Sequence, residues 1–409
     1  MTESAERQFL EWLQEGPERG PAEGLERTLA ATRETPQRPG WLIPERWIPM
    51  QLTMQRPLAP RPYLLVLAGA LLVAALAGAL IFVGSQPRPA PLFGLAGNGR
   101  IVVGLDGQLW FASADGSGAG RRVIGQTFAS SPVFSPDGTR LAFKSRDIEG
   151  RPWSMYAANP DGSSARLLTG DFPVVAWELD GPSWSPDATT IAFTSSDRGI
   201  NRIYLVGTDG RGVVNALTDR DMNRTYPAFS PDGAWIAYKA TPVDGTQSTS
   251  LMIRRPDGSG ERTLVSVPRA DMSFSGFQWA AGSGRLAYFR GQGSHFVGVV
   301  DLEGHETIVS LPGEDAVNPV WSPDGTQLAY STENGSFVVD IDDLTKRLAI
   351  PGEYSNCGVA WAPDGTALIA IDDACSSLYR IPLDDPAAAR RIEIPKGVID
   401  FITWQRTAP

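Results

Sequence analysis

Residues Trp321 to Tyr330 read WSPDGTQLAY, a tight turn followed at once by a short apolar run. Proline presets φ at the second position of a type I turn, Asp suits the third, and Gly takes the fourth. Ser322-Pro323-Asp324-Gly325 therefore predicts a hairpin turn, and Leu328-Ala329-Tyr330 predicts the strand that leaves it. The aromatic-Ser-Pro-Asp-Gly pattern, or a close relative, also begins at Phe134, Trp184, Phe229 and Trp361. A weakened copy (WAAGSG) begins at Trp279, and a last aromatic stands alone at Trp404. Successive steps are 50, 45, 50, 42, 40 and 43 residues. A period of this length marks a repeat architecture.

Within each unit the turn leads into a run such as Leu141-Ala-Phe, Ile191-Ala-Phe, Ile236-Ala-Tyr or Leu286-Ala-Tyr. A second run follows, such as Met155-Tyr or Ile203-Tyr-Leu, closed by Asp161-Gly162, Asp209-Gly210 or Asp257-Gly258. A third, outer run has the form Arg166-Leu-Leu-Thr169. Four strands per unit, repeated radially, predict an all-β fold, a β-propeller. The region opens with three strands only (from Arg100, Gln108 and Arg121) and ends with one (Ile399 to Trp404). Those fragments complete one blade between the two ends, so seven blades are expected, with six as the runner-up if the unit at Trp279 fails. Closure by the C-terminal strand removes an exposed sheet edge.

Trp-Ser-Pro-Asp-Gly, Ile-Ala-Phe, Asn-Pro-Asp-Gly and Arg-Leu-Leu-Thr resemble the TolB-like propeller repeat over about residues 98–405. The resemblance implies the fold more firmly than a function, because propellers of this kind serve many tasks. With the Ala-, Gly- and Arg-rich composition it also implies a bacterial source.

Tyr63 to Gly84, YLLVLAGALLVAALAGALIFVG, holds 22 residues without charge or proline. A helix of that length spans about 30 Å, the thickness of the hydrocarbon core. Residues 63–85 are therefore expected to cross the membrane once. Arg46, Arg56 and Arg61 precede the span and only Arg88 follows closely. The positive-inside rule then puts residues 1–62 in the cytoplasm, with a linker (86–97) and the propeller (98–409) outside.

Net charge is −10. Residues 1–62 carry eight Arg against nine Asp or Glu, so almost all of the excess lies beyond the span. An acidic domain repels phosphate backbones, and no nucleic-acid partner is expected. The two cysteines, Cys357 and Cys375, and the two histidines, His295 and His305, show no zinc spacing. No metal or other cofactor is expected. Cys357 precedes the first strand of the seventh blade and Cys375 follows its second strand. Antiparallel neighbours put both at one end of the blade, so a disulfide is expected.

The first-to-second and third-to-fourth turns share one face and are short. The opposite face carries longer, variable connections, where binding usually resides. Trp177, Asp221, Arg224, Tyr226, Arg269 and Phe274 are expected to ring the channel mouth there and contact a protein, peptide or envelope glycan. The motif aspartates (Asp137, Asp187, Asp232, Asp324, Asp364) each stand alone, which suits a turn better than calcium. A hydrolase appended to a propeller would need a Gly-x-Ser-x-Gly elbow, which the sequence lacks. Two histidines are too few for a metal lyase. The expectation is a non-catalytic protein.

Residues 4–15 predict a short helix, and a second starts at Pro21; seven prolines then break the chain between Pro36 and Pro62. The layout is similar to that of membrane-bound anti-sigma factors, although their His-x-x-x-Cys-x-x-Cys motif is absent. Two readings follow. One is an anchored binding module. The other is a transmembrane regulator whose residues 1–50 hold a cytoplasmic protein. An outer-face hydrolase or lyase trails both.

Overall fold

The computed structural model describes residues 95–407, apart from 114, 116–120, 123–127, 147–151, 170–173, 175–180, 198, 213, 216–220, 245–247, 268–275, 292–294, 353 and 355–357. The expected cytoplasmic segment, the apolar span 63–85 and most of the linker lie outside those residues. Among the described residues no helix is long and apolar enough to cross a membrane.

The described chain forms seven antiparallel four-stranded sheets. Blade I joins the two ends of the domain: β1 (Gly97–Leu105), β2 (Gln108–Ala112), β3 (Arg121–Arg122) and, from the C-terminus, β28 (Ile399–Thr407). Blade II is β4 (Phe128–Phe134), β5 (Leu141–Arg146), β6 (Ser154–Ala158) and β7 (Arg166–Leu167). Blade III is β8 (Ser183–Trp184), β9 (Thr190–Asp197), β10 (Ile200–Gly207) and β11 (Val214–Asn215). Blade IV is β12 (Met222–Phe229), β13 (Ile236–Pro242), β14 (Thr249–Arg254) and β15 (Arg262–Val267). Blade V is β16 (Phe277–Trp279), β17 (Arg285–Gly291), β18 (His295–Asp301) and β19 (Glu306–Ile308). Blade VI is β20 (Val317–Trp321), β21 (Gln327–Thr332), β22 (Gly335–Asp340) and β23 (Arg347–Ile350). Blade VII is β24 (Val359–Trp361), β25 (Ala367–Ile371), β26 (Leu378–Pro382) and β27 (Arg390–Ile392).

Seven blades hold, and six do not. The degenerate unit at Trp279 keeps its turn because Ser283 takes the left-handed conformation (φ 60°), as Ala188 (φ 55°) does in the Trp184 unit and Gly does in the others. Its N–H reaches the Ala280 carbonyl at 3.0 Å, as Gly325 reaches Ser322 at 2.9 Å.

The motif aspartates are turn residues. Ser185 and Ser322 each donate to the following Asp at 2.6 Å, and the N–H groups of Thr189 and Thr326 bind the same carboxylates. The hydrogen bond from Ser185 pulls Asp187 below the usual carboxylate range, since it favours the charged form.

The core lies between blades. Tyr238, Tyr288 and Tyr330, each in the second strand of its blade, are wholly buried. Their hydroxyls donate to Glu261, Glu306 and Glu314, and burial is the first cause that pushes their pKa values up. Arg224, Arg290 and Arg347 pair with the same three carboxylates. Each triad thus compensates the charge it buries, which an unpaired ion would not.

Candidate functional site: the channel mouth on the motif-turn face

The first strand of each blade has a neighbour on one side only and turns its other edge toward the axis. Adjacent first strands are tied by the motif tryptophans. The Nε1–H of Trp184 donates to Val133 O, that of Trp279 to Ala228 O and that of Trp321 to Gln278 O, each at 3.0 Å. Trp361 donates to Val320 O at 2.9 Å. In all four cases the acceptor precedes the aromatic of the blade before. Trp404 departs from this pattern and bonds Gly99 O within blade I, at 3.1 Å. Each indole also buries a large apolar face, so a single residue type seals the joint and satisfies a carbonyl.

These joints leave a cavity of about 440 Å³ at the motif-turn end of the axis. Trp279, Trp321, Trp361 and Trp404 form its wall, with Gln278 and Arg406 among its polar groups. Gln278 Oε1 accepts the Trp321 backbone N–H at 2.8 Å, so the amide Nε2 is the group of this side chain left to donate. Thr403 adds a hydroxyl. Burial lowers the pKa of Arg406, yet arginine stays charged at neutral pH, so the wall carries a poorly hydrated cation. A cavity of this size falls within the ligand range of about 300–1,000 Å³.

A second repeated feature escaped the sequence reading. Ser131, Tyr226 and Asn318 adopt left-handed φ values of 51°, 58° and 54°. Each stands three residues before its motif aromatic and directly before a proline. The ladder register slips at each of them, so the first strand bulges there. Non-glycine residues in this region cost about 1–3 kcal/mol, and bulges re-aim side chains next to binding sites. The x-Pro-x-aromatic spacing was the available signal.

The sequence-predicted residues fall differently. Asp221 is exposed just before β12, and its carbonyl accepts the Val243 N–H at 2.9 Å. Arg224 and Tyr226 belong to the first strand itself, not to a connecting loop. Arg224 is 3 % exposed, lies over the Tyr238 ring and pairs with Glu261 at 3.5 Å. Its charge is used inside blade IV. Tyr226 is half-buried, with Lys239 Nζ 5.7 Å from its ring centroid. Trp177, Arg269 and Phe274 lie outside the described residues. Cys375 is disulfide-bonded, while Cys357 also lies outside them. His295 and His305 each hold an aspartate, Asp315 at 2.7 Å and Asp301 at 2.8 Å. The hydrogen bond that His305 makes to the Asp301 carboxylate favours the protonated ring and raises the His305 pKa.

No family model matches the chain. Among curated proteins, Atu1656 of Agrobacterium fabrum is 27% identical over 211 residues, covering 48% of this chain and 67% of that one. The Tol-Pal system protein TolB of Anaeromyxobacter dehalogenans is 34% identical over 121 residues, covering 30% of this chain and 26% of TolB. The peptidase YuxL of Bacillus subtilis is 28% identical over 168 residues, covering 32% of this chain and 25% of YuxL. The chain thus spans about a quarter of the length of the last two. Among solved structures, a puromycin hydrolase has a TM-score of 0.56 at 18% identity, covering 76% of this chain and 54% of that one. An oligogalacturonate lyase has a TM-score of 0.51 at 13% identity, covering 64% and 75%.

The shared fold is the propeller, and its repeat is TolB-like. One expectation is corrected. The chain was read as non-catalytic because it lacks an elbow motif and a histidine cluster. A curated relative named as a peptidase, and solved structures of a hydrolase and a lyase, overturn that exclusion.

Proposed function

We propose that the domain is an extracytoplasmic protein-binding module that takes an extended segment of a partner protein into the channel mouth, held to the membrane by residues 63–85. The carrying observation is the 440 Å³ cavity walled by four motif tryptophans. The inner strands β16, β20, β24 and β28 have no strand partner on their inner edges, and the backbone groups left open there, apart from those such as the Trp321 N–H that Gln278 already binds, match the alternating donors and acceptors of an extended polypeptide. Arg406 and the Gln278 amide favour carboxylates and carbonyls on that segment. The apolar stretch 63–85 and the arginine bias around it support the anchor and its orientation. Asp221 and Tyr226, with Trp177, Arg269 and Phe274, are proposed as contacts at the opposite rim. Cys375 is proposed to bridge to Cys357.

The test is capture from envelope extracts by the tagged full chain, compared with Ala360→Trp and Thr403→Trp, which fill the cavity. The reading expects a protein retained by the wild type and lost from both variants at unchanged melting temperature. Equal retention would move the site elsewhere; recovery of a glycan alone would change the ligand class.

A further inference from the structure

Arg380, in β26, lies directly opposite Arg390, in β27. Both line a pocket of about 240 Å³ on the outer rim, and the adjacent Arg391 borders it too. Pro382 and the buried Ile392 form its apolar floor, while Asp115 approaches from blade I. Like charges directly opposite on neighbouring strands oppose pairing. Elsewhere the domain answers such charges: Arg224, Arg290 and Arg347 each face a glutamate. Among the described residues no salt bridge joins Arg380, Arg390 or Arg391 to a carboxylate. Residues 116–120, which follow Asp115, carry no charge. Asp384 and Asp385, in the same connection, are exposed, and Asp384 Oδ1 accepts the Asp385 N–H at 3.1 Å.

We infer that this pocket binds a phosphate ester. Two facing guanidinium groups present planar donor forks that match a tetrahedral oxyanion, and the anion removes the repulsion between them. Even with Asp115 counted, the lining is net positive in a strongly acidic chain. The space beyond the phosphate holds a small appendage, a sugar or a glycerol, against Pro382 and Ile392. The site lies in the two outer strands of blade VII, so it stands independently of the channel reading.

The experiment uses the full chain in a non-ionic detergent, titrated with inorganic phosphate against chloride at matched ionic strength. Wild-type protein is expected to melt about 3 °C higher at ten-fold excess over Kd. Arg380→Gln/Arg390→Gln is expected to bind phosphate at least ten-fold more weakly. Without phosphate this variant is expected to melt at or above the wild type, because the like-charge contact is gone. Glucose 1-phosphate and dihexanoylphosphatidylglycerol distinguish the sources, and tighter binding of either than of inorganic phosphate supports the site. An equal phosphate response in variant and wild type, or no response in the wild type, would overturn it. A phosphate-free variant that melts lower would assign the arginines a structural role instead.

Discussion

Ile101 of β1 sits opposite Trp404 of β28, so residues more than 300 positions apart are neighbours in one ladder. The joint is reinforced on both flanks. Asn98 exchanges hydrogen bonds with Asp364 of blade VII at 2.6 and 3.2 Å. Gln405 donates to the Gly138 carbonyl of blade II at 2.8 Å. The same strand contributes Thr403, Trp404 and Arg406 to the channel cavity, so ring closure and site are one construction. Trp404→Ala is expected to destabilise by about 3–5 kcal/mol, as for other buried aromatics, measured by chemical denaturation.

Gly138 makes a sharper probe of that joint. It sits at φ 69°, and a β-carbon there would fall 1.7 Å from the Arg406 carbonyl oxygen. Gly138→Ala is expected to cost about 2–4 kcal/mol, well beyond a Gly-to-Ala change at Gly199, which has φ 82° but open space. Equal costs at the two positions would show that the closing strand does not press on this turn.

Trp361→Phe isolates the indole hydrogen bond, because Phe already stands at the matching positions 134 and 229. The expected loss is about 0.5–1.5 kcal/mol, one hydrogen bond plus a modest packing defect. A loss above ~3 kcal/mol would mean that packing, not the bond to Val320, dominates the joint.

The legible part of the molecule was its punctuation. Ser322-Pro323-Asp324-Gly325 and its copies encode a local backbone geometry, so the turns, the strands after them and the blade count followed from residue identity. The burial of Arg224 was not legible, because composition alone cannot distinguish a solvated arginine from one paired with Glu261 across 37 positions of sequence. The cavity at the motif-turn end was missed for a related reason. Its wall is made of the repeated tryptophans themselves, whose turn role masked their placement around the axis. The bulges at Ser131, Tyr226 and Asn318 were visible as x-Pro-x-aromatic, a spacing the turn motif beside it overshadowed.

Arg224→Met is accordingly expected to act on stability. Glu261 and Tyr238 lose their cation, and a loss of about 1–3 kcal/mol is expected, discounted because Glu261 is partly exposed. Partner capture by the folded variant should be unchanged. Loss of capture at unchanged stability would restore Arg224 to the binding site.

Acid sensitivity should follow the motif turns. Asp187 and Asp161 have folded-state pKa values below the ordinary carboxylate value, chiefly through hydrogen bonds from Ser185 and Ser163. A depressed folded pKa contributes stability above the unfolded value, lost as pH falls through the folded one. Melting temperature should therefore hold above pH ~4 and drop below it. Asp187→Asn should show a shallower drop; an identical slope would place the acid-labile groups elsewhere.

The most direct test of the channel site is photo-crosslinking in intact cells, with a benzophenone amino acid at position 403 or at position 346. Thr403 lines the cavity, whereas Lys346 is an exposed outer-rim residue paired with Asp343. The account predicts a discrete protein adduct from position 403 and none from position 346. Adducts from position 346 alone, or no adduct from position 403 in a folded chain, would contradict it.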